Sequence, residues 1–464
     1  MNLRERIFQK EDLSRYISSD KNLIKTLGAG DLIAMGIGVV IGTGIFILPG
    51  TVAALHSGPA ISLSFIIAAL VCSTSAMCYA ELSSALPVAG SAYSFGNVLF
   101  GEVIGWILGW ALILEYMLAV AAVSTGWAAY FNSFIGAFGL KLPKALSGSF
   151  NPAQGTYVNI VAVLSVLVVA VLLIFGSRAS VRLNNIMVIV KIAVIIIFVV
   201  VGAFFIKPSN WHPYMPFGFH GVLKGATVVF FAYLGYDVVA ASAAEVKNPS
   251  KNLPRGIIGT LLITTLLYVI VSIVLTGMVK YTKLNVGNPV TFALQMVHQN
   301  WAASIIAVGA LAGMATMMIS TMYSSSRLVY SIGRDGLLPK ALGKINPKTH
   351  VPTNSLIIIS IIIAIFGGTV PLDEITNLVN IGTLVAFTFV SLGVLVLRRR
   401  KDIINDGFKV PFYPVLPIIS VLLCLVLLSQ LSLQTWIASL IWFAIGLVIY
   451  FSYGVHHSKL NQDR

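Results

Sequence analysis

Charged residues are scarce in this sequence. Asp, Glu, Lys and Arg make up only 10% of the 464 residues, whereas 57% are hydrophobic. Globular soluble proteins carry roughly 25% charged residues and a smaller apolar fraction. The composition therefore excludes an ordinary soluble domain and predicts a multi-pass protein of the cell membrane.

Residues for metal, redox or catalytic chemistry are also few. The three cysteines, Cys72, Cys78 and Cys424, are scattered through apolar runs, and the seven histidines show no metal-ligand spacing. The sequence contains no phosphate-binding loop, no nucleophile elbow and no dinucleotide-binding fingerprint. We therefore expect no metal site, no bound cofactor and no enzymatic activity.

The sequence is instead rich in long apolar runs. They follow a charged segment, 1–29, which we expect in the cytoplasm, and they predict twelve membrane-spanning helices, because about 20 apolar residues cross a bilayer. The predicted spans are 31–54, 60–84, 99–134, 157–176, 183–206, 222–245, 256–278, 301–331, 354–370, 376–397, 413–432 and 435–455. The predicted fold class is therefore an all-α integral membrane protein.

Basic residues are distributed unevenly over the predicted loops. With the N-terminus inside, 23 Lys and Arg fall on the cytoplasmic side and six on the outer side. This bias places both termini in the cytoplasm. It also explains the formal net charge of +14 without a nucleic-acid partner. The predicted cytoplasmic loop 86–98 is an exception, since it carries neither Lys nor Arg.

The predicted spans fall into two blocks of similar length. The first five belong to 30–206 and the next five to 207–397, while the last two helices and the cytoplasmic tail occupy 398–464. Because five is an odd number, the second block enters the membrane in the opposite orientation. This is the arrangement of an inverted-topology repeat.

Four glycines interrupt the first span within 36–44, and two interpretations compete. Gly38 and Gly42 form a Gly-x-x-x-Gly pair that permits close helix packing. Alternatively, the segment is unwound and offers backbone polar groups to a substrate. The sixth span has a corresponding interruption at Gly235 and Asp237. Interrupted helices at matching positions in two halves are typical of a transporter's binding site, which favours the unwound segment.

Three ionisable side chains lie well inside predicted spans, namely Glu115, Lys191 and Asp237. Each costs about 2.5–3.5 kcal/mol at the centre of a membrane helix, so each should face protein or water and have a role. Glu115 either lines the cavity or belongs to a buried structural pair. Asp237 either contacts the substrate or binds backbone amides freed by the interruption, as helix-capping aspartates do.

Lys191 has no polar neighbour within five residues on either side. Burial disfavours the charged form of an amine, so a buried lysine can bind and release a proton near neutral pH. The alternative is a permanent counter-ion for Glu115 or Asp237. Of the two, we favour proton coupling.

Together these residues resemble the amino acid–polyamine–organocation (APC) superfamily, and within it the cationic amino acid transporter-like permeases. The resemblance covers essentially the whole chain. It depends on three stretches, which are Gly36 to Phe46, Phe230 to Asp237 with its continuation 244–249, and Ser331 to Pro339. It implies the LeuT-like fold of that superfamily, with a five-plus-five inverted repeat and discontinuous first and sixth helices.

The resemblance also implies a binding site. The carboxylate of an α-amino acid would meet the amides of Thr43 and Gly44 at the positive end of a half-helix. Its ammonium would meet carbonyls of both interruptions, and Phe231 would cover the site as an aromatic gate. Lys191 matches a lysine of the proton-coupled members of the superfamily. In those members the lysine takes the place of the sodium ion that sodium-coupled relatives bind. The predicted substrate-binding residues are Val40, Ile41, Thr43, Gly44, Glu115, Phe231, Ala232, Leu234, Asp237 and Thr321.

The sequence thus predicts a secondary transporter that imports L-amino acids by proton-driven alternating access. The apolar surroundings implied by Ile41, Phe231 and Ala232 favour neutral substrates, whereas Glu115 or Asp237 could receive the side chain of arginine or lysine. A proton-independent exchanger or facilitator is the other alternative, and a membrane-embedded enzyme or a channel is disfavoured. The expected partners are the amino acid and membrane lipids, and the sequence leaves open a small membrane-protein partner.

Overall fold

The structure is a computed structural model that describes residues 8–13, 25–88, 90–136, 138–175, 181–349 and 351–462. Most of the predicted cytoplasmic segment 1–29 lies outside these residues. The described chain consists of helices joined by turns, with three isolated β-bridges and no longer strand pairing among the described residues.

The α-helices are numbered in chain order. The first eight are α1 (Ala29–Val40), α2 (Thr43–Phe46), α3 (Leu48–Val52), α4 (Ile61–Ala85), α5 (Ala92–Leu99), α6 (Glu102–Gly136), α7 (Ile160–Ile174) and α8 (Val181–Ala203). The others are α9 (Gly218–Val229), α10 (Tyr236–Ala241), α11 (Pro249–Met278), α12 (Pro289–Met296), α13 (Asn300–Arg334), α14 (Thr353–Thr369), α15 (Leu372–Leu397), α16 (Val415–Ser429), α17 (Leu433–Ile449), α18 (Val455–His457) and α19 (Lys459–Gln462).

Eight helical stretches of the described chain are long and apolar enough to cross a membrane. They are Leu48–Ala85, Glu102–Gly136, Asn185–Ala203, Gly218–Ala241, Pro249–Met278, Asn300–Arg334, Leu372–Leu397 and Leu433–His457. Four shorter apolar helices, α1, α7, α14 and α16, coincide with further predicted spans. The protein is therefore an all-helical, multi-pass membrane protein, while the count of twelve spans, the inverted repeat and the division at 206 and 397 stay predictions.

Helix α6 lies at the centre of the bundle. Its most apolar stretch is 89% buried, the highest share among the eight candidate spans. It packs against α13 and α15, while α1 lies between α8 and α11. The residues around the two interruptions, 36–46 and 225–236, are buried inside this bundle, as irregular backbone at membrane depth requires.

The predicted loop 86–98 contains a helix that the sequence reasoning missed. All eight residues of α5 are buried, and the helix lies against α6 and α15. A charged side chain is costly to bury without a partner. This burial explains why the segment lacks Lys and Arg although its predicted position is cytoplasmic.

An ion pair between the buried Glu81 and the partly exposed Arg398 joins α4 to the segment that follows α15. Arg398 donates to the two carboxylate oxygens of Glu81 at 2.6 and 2.9 Å. Asn405 Nδ2 and the Val410 amide donate to the same carboxylate at 2.9 and 2.6 Å. The hydrogen bonds with Glu81 raise the pKa of the Arg398 guanidinium. A bidentate pair with additional donors satisfies the buried carboxylate and fixes the segment against the bundle.

Candidate functional site

The first interruption lies between α1 and α2. Helix α1 ends at Val40, and Ile41 is extended with φ −79° and ψ 101°. Gly42 follows with φ −145° and ψ −131°, after which α2 begins. The amides of Thr43 and Gly44 lie in the first turn of α2, where a helix has no internal acceptor for them. They bond to no described backbone acceptor outside α2.

The second interruption lies between α9 and α10. A 3-10 turn spans Phe230–Tyr233, and Leu234 is extended with ψ 144°. Gly235 has φ +113°, a left-handed conformation that favours glycine. In addition, a Cβ on Gly235 would lie 2.5 Å from Val39 Cγ1. Both the backbone conformation and the close approach to α1 therefore require glycine here.

The two interruptions touch each other. A Cβ on Gly44 would lie 2.7 Å from both Cα and Cβ of Ala232. The structure thereby brings seven of the predicted binding residues together, all of them buried: Val40, Ile41, Thr43, Gly44, Phe231, Ala232 and Leu234. Because all seven residues are buried, the candidate site is closed to solvent in this conformation.

Side chains already contact several of the carbonyls that were predicted to meet a substrate ammonium. Tyr268 Oη lies 3.0 Å from Val40 O and 2.7 Å from Ala232 O, so one hydroxyl of α11 bridges both interruptions. Lys191 Nζ donates to Ile41 O at 3.0 Å. A carbonyl oxygen has two lone pairs. A substrate ammonium would therefore use the second lone pair of each oxygen.

Lys191 reaches the first interruption from α8 and is fully buried. Its Nζ donates to Gly38 O at 2.5 Å and to Ile41 O at 3.0 Å. Its aliphatic stem lies against α13, where a Cβ on Gly313 would be 3.0 Å from Cγ and Cε of the lysine. Among the described residues no carboxylate forms an ion pair with Lys191. The amine is thus held by backbone carbonyls and not by a carboxylate counter-ion.

Two buried carboxyl groups lie beside the second interruption. Tyr116 donates to Asp237 Oδ2 at 2.5 Å, and the amides of Gly235 and Val238 lie beside the same carboxyl. Asp237 and Glu115 are close enough to interact electrostatically. Asp237 Oδ1 and Glu115 Oε2 have no hydrogen-bond partner among the described residues. Because buried polar atoms are rarely unpaired, both oxygens are candidates for substrate contact.

Helix α13 presents hydroxyl groups towards the first interruption. Thr321 Oγ1 and Ser325 Oγ are buried without a described partner, as is Thr43 Oγ1. Met317, one turn before Thr321, packs on the interruption, since a Cβ on Gly42 would lie 2.2 Å from its Sδ. Thr321 therefore lies on the face of α13 that approaches the interruption, and Ser325 is an additional candidate that the sequence reasoning missed.

Tyr116 and Tyr268 were also missed. A tyrosine within an apolar span carries a hydroxyl that needs a partner, which is a usable signal in the sequence. The signal does not identify that partner, because Asp237 is 121 residues from Tyr116 and Val40 is 228 residues from Tyr268.

The chain is similar to known membrane transport proteins over nearly its full length. The model of the amino acid permease family matches residues 27–453. A methylthioribose transporter of Bacillus subtilis strain 168 is 46% identical over 458 residues, which are 98% of this chain and 99% of that protein. A branched-chain amino acid permease of the same organism is 46% identical over 462 residues, with coverages of 98% and 99%. A vacuolar cationic amino acid transporter of Arabidopsis thaliana is 39% identical over 382 residues, covering 81% and 64%.

An all-helical bundle that encloses two interrupted helices, together with these relatives, defines a multi-pass membrane transport protein. The chain belongs to the amino acid permease family, and through it to the amino acid–polyamine–organocation superfamily.

Proposed function

We propose that this protein imports neutral L-amino acids across the cell membrane by proton-coupled alternating access. The observation that carries the proposal is the position of Lys191, whose amine bonds Gly38 O and Ile41 O at the first interruption. Hydrogen bonds from a charged donor are roughly twice as strong as neutral ones. Proton loss weakens both bonds and releases the end of α1, so proton occupancy biases the orientation of this helix.

The free amides of the first interruption support a site for an amino acid. The substrate carboxylate would bind the amides of Thr43 and Gly44, and its ammonium would bind the carbonyls of the two interruptions. Ile41 and Phe231 supply apolar surroundings for a neutral side chain, with Phe231 as the gate. The branched-chain amino acid permease among the relatives supports this substrate class.

The charge bias of the loops supports an orientation with both termini in the cytoplasm. Within the proposal, the twelve spans form the five-plus-five arrangement, the proton is the coupling ion and no bound cofactor takes part. The partners are the amino acid substrate and the surrounding lipids.

Uptake into proteoliposomes tests this function. Leucine, alanine, arginine and methylthioribose would be offered as labelled substrates, with and without an imposed inward proton gradient. Accumulation of leucine or alanine only when the gradient is present supports the proposal. Uptake that requires internal amino acid and ignores the gradient indicates an exchanger, and transport of methylthioribose alone excludes the proposed substrate class.

A cationic amino acid is the second candidate substrate. The observation in its favour is the pair of buried oxygens without a described partner, Glu115 Oε2 and Asp237 Oδ1. A guanidinium or ammonium group entering this region would satisfy both. The cationic amino acid transporter among the relatives points in the same direction.

Neutralising the two acids separates these candidates. If the cationic candidate is right, Glu115→Gln or Asp237→Asn weakens arginine and lysine by at least about tenfold more than leucine or alanine, because losing the partner of a buried charge costs several kcal/mol. Competition binding measured with each amino acid checks this expectation.

Glu102→Gln is a matched control for these substitutions. Glu102 is also a buried acid of α6, but its carboxylate accepts bonds from Tyr450, at 2.9 Å, and Ser458. The control should leave the ratio of arginine to leucine affinity unchanged. Equal weakening of all substrates by the two site variants would mean that the acids are structural, and failure of arginine to compete in the parent protein would remove the cationic candidate.

A further inference from the structure

A cavity of about 600 Å³ lies at the N-terminal end of α11, on the side that the charge bias assigns to the cytoplasm. None of the candidate substrate-site residues lines it. The lining comes from the first turns of α11 and from a short stretch that follows α15: Ser250, Lys251, Pro254, Arg255, Ile258, Gly259, Asp406, Gly407 and Phe408.

The cavity carries two basic side chains on one face of α11. Lys251 and Arg255 are four residues apart, so they lie on adjacent turns separated by about 6 Å along the axis. Both are exposed, and neither forms an ion pair with a described residue. Asp406 is the one carboxylate among the lining residues. The lining therefore has a net positive charge, and the positive end of the α11 dipole adds to it.

The rest of the lining is mostly apolar. Ile258 and Phe408 lie among the cavity walls, and α11 continues from this point as a candidate membrane span, Pro249–Met278. The basic side chains thus lie at the depth where the helix changes from polar to apolar sequence. This is the depth of a lipid headgroup and the beginning of its acyl chains.

The segment after α15, which supplies three of the lining residues, also carries a net positive charge. Residues 398–409 contain five Lys and Arg but only two Asp. Arg398 is paired with Glu81 and Arg400 with Asp402, which leaves Arg399, Lys401 and Lys409 without a described ion-pair partner. Basic clusters directly after a membrane helix attract anionic lipids, at about 1 kcal/mol per residue near the surface.

We propose that this cavity binds the headgroup of an anionic phospholipid of the cytoplasmic leaflet. The lipid phosphate lies between Lys251 and Arg255, and the upper acyl chains lie on Ile258 and Phe408. Asp406 accepts a hydrogen bond from a hydroxyl of the headgroup. Phosphatidylglycerol meets these three requirements, because its headgroup combines a single negative charge with hydroxyl donors and its acyl chains are apolar.

Thermal unfolding of the full-length protein in mixed micelles tests this site. The parent would be titrated with phosphatidylglycerol, phosphatidylcholine, phosphatidylethanolamine or inorganic phosphate, and native mass spectrometry would count the lipids retained. Of these four ligands, we expect only phosphatidylglycerol to give saturable stabilisation. In Lys251→Gln/Arg255→Gln its affinity should fall about thirtyfold, from the loss of two basic contacts.

Lys344→Gln/Lys348→Gln is the matched control, because it removes two exposed lysines from the same predicted face but outside the cavity. It should retain the parent's phosphatidylglycerol affinity. The parent and Asp406→Asn would also be titrated with phosphatidic acid, which lacks the headgroup hydroxyls. Asp406→Asn keeps the site testable if the double variant does not fold, because it should lower the ratio of phosphatidylglycerol affinity to phosphatidic acid affinity. Equal affinities in all variants, equal binding of zwitterionic lipid, or stabilisation by inorganic phosphate would each overturn the proposal.

Discussion

Lys191→Met is expected to abolish substrate accumulation under an inward proton gradient. A gradient of one pH unit across the membrane provides about 1.4 kcal/mol per proton. With one proton per substrate, the parent protein should therefore accumulate substrate about tenfold inside the vesicle. The variant should only equilibrate its substrate. Methionine preserves the stem that packs on Gly313, but it has no donor for Gly38 O and Ile41 O and no proton to exchange. Uptake into proteoliposomes at several external pH values measures the effect.

Lys191→Arg is the informative control for this experiment. Arginine keeps a donor and a charge but does not release its proton in proteins. It should therefore also fail to accumulate substrate if proton exchange, and not the charge itself, drives transport. Both variants should retain substrate binding in a thermal-shift assay, because the amine is not expected to touch the amino acid. Gradient-driven accumulation by Lys191→Met would show that the lysine is only structural.

Gly44→Val is expected to eliminate substrate binding while the protein still inserts into the membrane. In the structure a Cβ on Gly44 points at Ala232, 2.7 Å from its Cα, so any side chain forces the two interruptions apart. A ligand at 100 times its dissociation constant stabilises a folded protein by about 2.7 kcal/mol. This stabilisation should appear in the parent and vanish in the variant.

Gly30→Val, in α1 on the other side of the same interruption, provides the matched control. No atom lies within 4 Å of a Cβ built on Gly30, so this variant should bind substrate like the parent. Gly44→Ala extends the test, because the Cβ alone is sufficient for the collision. If Gly44→Val retained ligand-induced stabilisation, the interruptions would not form the binding site, and the glycines of the first span would serve helix packing instead.

Several features of the candidate site are predictable because they are local. The interruption before Thr43 follows from glycines in a span that otherwise favours a continuous helix, and the one at Gly235 follows from a glycine and an acid in the same setting. Lys191 stands out because ten apolar residues flank it. The partners of these groups are not local. Nothing near Tyr268 in the sequence indicates that its hydroxyl lies between Val40 O and Ala232 O.

The sequence by itself determined that this is a multi-pass membrane protein, showed its resemblance to amino acid permeases and favoured an interrupted first span. Composition, the length of apolar runs and short motifs can be recognised in the linear sequence, because they do not depend on which distant residues are in contact. Only the tertiary structure decided that Gly44 faces Ala232, that backbone carbonyls rather than an acid hold Lys191, and that Lys251 shares a cavity with Asp406. These contacts join residues more than 100 positions apart, because helix packing, and not periodicity, determines which side chains meet.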